Sequence, residues 1–316
     1  MVLALAAIAD QRVHLTPRLI AGEVLRYQID SRTITNGATT TPLANPEGGS
    51  QSNQAIHLLV RLEVLGASAA SVSVQRGVRL RATFDKSSAT SENDAVDPST
   101  PSLASRYARI EGHSVEFTLA PDGQLTGFKD LKEIFPDSAA AQPIISWLSA
   151  LSPDVGMPAN GVRVGEKWKS EHPLEAQPLS DLLWRTESTY LRNEPCHSAA
   201  APVPRSSQPV TSASYCAVLL THFEISRQGS ARSDATPDDY RRNGLRTSGT
   251  WFGSGEALES VSLATGLLVS STQTSKEDAD YEIVSVATGS RIHEQGHLQS
   301  QSEITLVTAP QSPVKP

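Results

Sequence analysis

The stretch IHLLVRLEVLG constrains the chain most: Ile56, Leu58, Val60, Leu62 and Val64 fall on every second position. Successive side chains of an extended strand point to opposite faces, so this spacing collects five apolar groups on one face. A helix would scatter the same residues around its circumference. A lone strand can neither pair its backbone groups nor bury that face, so it must belong to a larger sheet. Ser, Thr, Gly, Ala and Pro are abundant and heptads of Leu, Glu and Lys are missing, which extends the mainly β reading to the rest of the chain. With 316 residues, one large domain or two smaller ones are both open.

Landmarks recur in the two halves. AGEVLRY places Gly22 and Glu23 ahead of Tyr27, and VGEKW places Gly165 and Glu166 ahead of Trp168. VRLEVLG then aligns with LTHFEIS, setting Leu62, Glu63 and Val64 against Phe223, Glu224 and Ile225. Each half goes on to a hairpin signal, Asp122-Gly123 in the first and Thr265-Gly266 in the second. The middle pair falls out of register with the other two, by roughly the length of the low-complexity insertion in the second half. The expected architecture is two pseudo-repeated antiparallel sheets, open-barrel or sandwich-like, joined by a helical connector.

The divisions follow composition. Residues 1–9 are an apolar run whose Ala7-Ile8-Ala9 fits the small-x-small rule for signal-peptide cleavage before Asp10, although its basic flank is missing; an ordinary first strand is the alternative. Residues 10–128 form the first β half, with flexible loops expected at 36–53 and 87–105. Residues 129–157 form the connector. There Asp137 or Ser138 offers an N-cap, Pro143 suits a first turn, and Ile144, Ile145, Leu148 and Leu151 share a helical face ahead of Pro153. Residues 158–308 form the second half, with a flexible loop at 198–214, and residues 309–316 a disordered tail. Cys196 and Cys216 flank that last loop, so a disulfide in an oxidising compartment is expected, with two separate buried thiols as the alternative.

Little in the chain carries chemistry. The 27 basic and 34 acidic residues give a net charge of −7 and no basic run, which excludes a general affinity for nucleic acid. No stretch reaches the length of a transmembrane helix. His293, Glu294 and His297 match H-E-x-x-H, which on a helix points both imidazoles at one zinc ion with the glutamate as general base. Gly289, Gly296 and the strand-like EITLVT after them deny that helix, and no third ligand follows, so no metal, no catalytic residue and no cofactor is expected. SKEDADYE lacks the ligand pattern of a calcium loop, and GTWFGSGEA matches no phosphate or dinucleotide fingerprint. Trp147, Trp168 and Trp251 are candidates to line an apolar pocket, with packing in the core as the other role.

The Gly-Glu openings, the strand meanders, the Asp-Gly and Thr-Gly hairpins and PANGVRVGEKW at the head of the second half together resemble a family of uncharacterised exported bacterial β-rich proteins. In layout the chain is more distantly similar to lipoprotein carriers of the LolA type, whose half-open barrel and helical lid hold acyl chains. The resemblance implies a periplasmic or secreted protein and carries over no catalytic residue. The leading functional reading is an exported, non-catalytic envelope protein binding a lipid or other apolar ligand, or an envelope protein partner. A zinc hydrolase built on His293, Glu294 and His297, and a structural envelope component, are the alternatives.

Overall fold

The computed structural model describes residues 12–40, 49–67, 77–92, 102–120, 123–134, 138–151, 156–174, 178–196 and 215–307. The first half holds strands β1 (Val24–Thr40), β2 (Gly49–Ala67), β3 (Val78–Glu92), β4 (Ser114–Leu119) and β5 (Leu125–Lys129), with helix α1 (Leu103–Ala108) between β3 and β4. Helices α2 (Leu131–Ile134) and α3 (Ser138–Ala150) follow. The second half holds β6 (Lys167–Leu174), β7 (Leu182–Pro195), β8 (Tyr215–Arg227), β9 (Leu245–Ser262), β10 (Leu268–Ser285) and β11 (Arg291–Leu306), with helix α4 (Asp238–Arg242) between β8 and β9.

The fold is mainly β and antiparallel, as expected. Its strands make one sheet in the order β5-β4-β3-β2-β1-β11-β10-β9-β8-β7-β6, which does not close into a barrel. The halves therefore join edge to edge instead of standing as two sheets. The seam is the β1–β11 ladder, paired from Tyr27 with Leu306 to Thr40 with His293. Either strand alone would leave a long row of N–H and C=O groups unpaired, so pairing them satisfies both edges at once.

Each half is a meander with the same succession of parts: three strands, a short helix, a fourth strand, a tight turn and a fifth strand, with β11 added at the end. The Gly-Glu openings are alike in detail. Gly22 N–H donates to the Val64 carbonyl at 2.8 Å and Val64 N–H donates back to Glu23 at 2.9 Å; Gly165 and Glu166 do the same with Tyr190 at 2.6 and 3.1 Å. In both turns the glutamate carboxylate accepts from the backbone three residues earlier, Ile20 N–H at 3.2 Å and Arg163 N–H at 3.0 Å. Gly22 and Gly165 sit at φ +84° and +85°, a conformation that costs other L-residues about 1–2 kcal/mol. The VRLEVLG and LTHFEIS match, by contrast, links the second strand of one meander to the third of the other, so that correspondence fails.

Two expected loops are shorter than composition suggests. Residues 36–40 continue β1 and 49–53 begin β2, while 87–92 continue β3 and Ser102 caps α1 by accepting from Ser105 N–H at 3.2 Å. Ser- and Thr-rich sequence is extended here because neighbouring strands supply partners for its backbone. Helix α3 starts at Ser138, so Pro143 lies beyond its first turn. The expected signal-peptide segment 1–9, the whole of the expected loop at 198–214 and the tail 309–316 lie outside the described residues. No helix among those described is long and apolar enough to cross a membrane. Cys196 and Cys216 form a disulfide between the end of β7 and the start of β8.

One face of the sheet carries the core. Tyr27 and Ile29 of β1, Leu58, Val60, Leu62 and Val64 of β2, and Leu80, Ala82 and Phe84 of β3 are all buried on it. The alternation from Ile56 to Val64 is thus the pattern of the covered face. Helix α3 lays Ile144, Trp147 and Leu148 against that face. A strap formed by residues 12–20 runs alongside: Val13 pairs with Val162, and Arg18 N–H donates to the Thr265 carbonyl at 2.7 Å. Leu15, at its centre, is fully buried.

Candidate functional site

Where strap, sheet and α3 meet, Pro17, Leu19, Tyr27, Leu62, Leu148 and Leu267 line an apolar void of ≈ 20 Å³, with Phe117, Leu119 and Leu125 closing it on the side of the first half. That volume is about that of one water probe, so the space is filled by the protein's own side chains. Tyr27 is wholly apolar in its setting except for its hydroxyl, which donates to the Leu268 carbonyl at 3.1 Å; burial raises its pKa. The described side chains of α3 form no hydrogen bond or ion pair to the sheet. Ser149 donates back to Ile145 within the helix, at 2.8 Å. Attachment of α3 to the sheet thus rests on apolar contact.

The covered face changes character along the strands. Its first rows are apolar, and the next cross-strand row reads Ser31, Ser302, Gln273, Ala257, Thr221 and Ser188 from β1 to β7. Ser188 and Thr221 share a hydrogen bond at 2.9 Å, and one row further Ser275 and Ser300 share one at 2.7 Å. At the border stands Glu259, paired across the ladders with Leu219 and Ser271. It has no hydrogen-bond or ionic partner among the described residues, and burial pushes its pKa up to about 7. Beyond lies an aromatic row: His172 stacks on Trp184 and Trp184 on Phe223, with centroids 6.3 and 4.6 Å apart. Gly255 lies under the Phe223 ring, where a Cβ would come within 2.3 Å of it.

Of the three tryptophans proposed from sequence, Trp147 and Trp168 enter the same apolar core, and none of the three lines the small void. Trp251 stands apart on β9. Its indole N–H donates to Glu277 at 3.0 Å, and burial raises the pKa of that carboxyl.

The opposite face of the sheet carries two polar clefts of ≈ 370 and ≈ 640 Å³ that share Arg32 and Gln301, so together they cross the strands from β3 to β8. Cross-strand His–carboxylate pairs recur here: His57 with Asp30 at 2.6 Å and His222 with Glu256 at 3.8 Å. Ser88 lies directly across from His57, which puts Asp30, His57 and Ser88 in one row. No hydrogen bond joins Ser88 to His57, and the surrounding backbone N–H groups serve the ladders, so the row lacks an activated nucleophile and an oxyanion site. Sequence separation hides this row entirely.

His293, Glu294 and His297 lie on β11, where the strand sends Glu294 to the face opposite the two histidines. Four residues of strand put those histidines roughly 13 Å apart. His293 bonds Asp280 at 2.8 Å, His297 bonds Asp278, and the Tyr281 hydroxyl donates to Glu294. Hydrogen bonds from His293 and Gln295 hold the Asp280 carboxyl below its ordinary range. No cluster of three or more ligating side chains suited to a metal occurs among the described residues. Purified protein is therefore expected to carry no stoichiometric zinc, and His293→Ala to change stability by less than about 1 kcal/mol, since the hydrogen bond it removes is exposed. Elemental analysis with a denaturant titration checks both; one zinc per chain, lost with His293, would reverse the reading.

No known family description and no curated protein matches the sequence. Among solved structures, a chain from a study of lipid–protein interactions in lipovitellin is similar at a TM-score of 0.43 and 9% identity; the match covers 94% of this chain. This chain spans 26% of that one's length.

Proposed function

We propose that the protein is an exported, non-catalytic binding protein that takes an apolar ligand chain between the covered face of the sheet and helix α3. The observation that carries this reading is how α3 is held. Ile144, Trp147, Leu148 and Leu151 are buried, and among the described side chains no directional bond ties the helix to the strands. Non-directional apolar contact can be exchanged for contact with another apolar body of similar area at little net cost. The free edges β5 and β6 leave the sheet room to adjust as the helix shifts. A disulfide fits an oxidising compartment, in line with export to the envelope or beyond. The polar face then remains available to an envelope partner.

Dodecanol below its solubility limit in water is a suitable probe. Saturable binding at about one per chain should be accompanied by faster amide hydrogen exchange across residues 138–151, because the ligand replaces the helix on the sheet. Absence of binding, or binding that leaves exchange in α3 unchanged, would refute this site.

A further inference from the structure

The border between the apolar rows and the hydroxyl row on the covered face has a single carboxylate set into it, Glu259, in the row that Leu219 and Tyr190 continue. Resting on the apolar-site reading above, we propose that the ligand is an amphiphile with a cationic headgroup, a long-chain ammonium, whose charge is received by Glu259 while its chain lies along the apolar rows toward α3.

Three observations support the assignment. The first is position. Glu259 stands in the row Ile29, Ile304, Ser271, Glu259, Leu219, with Ala257 and Val261 on either side of it along β9. Three strand spacings, about 14 Å, separate β9 from β1, where Tyr27 borders the void under α3. A saturated dodecyl chain spans that distance.

The second is charge. The row of Glu259 and the rows immediately beside it on β7 to β11 contain serine, threonine, glutamine, asparagine, Tyr190 and apolar side chains on this face, and no lysine, arginine or histidine. Its carboxylate has no partner among the described residues. A half-buried anion without a partner is costly and is stabilised by a cation that brings its own hydrogen-bond donors. An ammonium does this. A carboxylate headgroup would meet like charge instead, and a neutral hydroxyl would leave the anion uncompensated.

The third is the polar row itself. Thr221, Ser188, Gln273 and Ser302 present oxygen acceptors on the far side of Glu259 from the core. A headgroup with three N–H donors can use one for the carboxylate and the others for these oxygens, so no donor is left unsatisfied.

The test uses dodecylamine, protonated at about pH 8, beside dodecanol and dodecanoate at the same pH, with wild-type protein and Glu259→Gln, by titration calorimetry below the micellar range. Wild type should bind dodecylamine at least about tenfold more tightly than dodecanol, and dodecanoate more weakly than dodecanol. Glu259→Gln should remove the preference for the amine while keeping the affinity for dodecanol, which also reports that the variant is folded. Equal affinities for the three ligands in wild type, or a preference that survives in the variant, would overturn the headgroup assignment and leave the apolar site standing. If none of the three binds, both readings fall. Should the variant not fold, the order of the three wild-type affinities decides.

Discussion

Gly266→Ala should be among the most damaging single substitutions in this protein, lowering stability by about 3–5 kcal/mol. Gly266 sits at φ +67°, and a Cβ there would come within 2.2 Å of the Thr16 carbonyl oxygen and 2.9 Å of that of Leu15. Both atoms belong to the strap's backbone, so no side-chain rotation relieves the overlap. Either the strap lifts, exposing Leu15 and breaking the Arg18 to Thr265 hydrogen bond, or the hairpin distorts. Gly289 is the control: its φ is +69°, with nothing within 4 Å of the added Cβ, so Gly289→Ala should cost only the conformational part, about 1–2 kcal/mol. Urea denaturation of the two variants separates strain from collision. Equal losses would mean that the strap does not press on Gly266 in solution.

Loss of the disulfide comes next. Cys196 and Cys216 are separated by 20 positions, and releasing a loop of that size from the unfolded chain costs the native state about 3 kcal/mol on chain-entropy grounds. The double substitution to alanine should show this loss together with a midpoint insensitive to reductant, whereas the wild-type midpoint should fall when reductant is added. A wild-type midpoint that reductant does not move would show that the bridge contributes nothing. Chemical modification after unfolding without reductant should find no free thiol.

Local rules made the strands, the hairpin turns and α3 legible. Ile56 to Val64 betray a covered face because one residue in two must be apolar whichever sheet contains them. Gly22-Glu23 and Gly165-Glu166 were legible only as matching openings of the two halves; that each is a turn, with a glycine at positive φ and a carboxylate reaching back three residues, is what the structure adds. The joining of the halves was hidden, since the pairing of Tyr27 with Leu306 depends on which edges remain free after everything else has paired. The length of β1 was hidden for the same reason, as residues 36–40 have loop-like composition and become strand only beside β2 and β11. Glu259 gave no signal at all. In sequence it reads as one more polar residue of an alternating strand, and only the ladders with Leu219 and Ser271 show that it falls on the covered side. Trp147 and Trp251 looked equivalent, yet one is on helix α3 in the core and the other is tied to Glu277 far along β9.

The seam between β1 and β11 also sets an order of events for folding. Its partners come from opposite ends of the chain, so no other ladder in the sheet closes so long a loop, and contacts of this separation form late and slowly. Each five-strand meander can assemble from neighbours in sequence, but until Arg291–Leu306 is in place β1 has one open side, and so does β10. For that interval the centre of the finished sheet is a pair of exposed edges, the surfaces through which strands add to foreign chains. The vulnerable moment of this protein therefore belongs to its last strand, and the two permanent edges, β5 and β6, are short by comparison with the two that must be hidden.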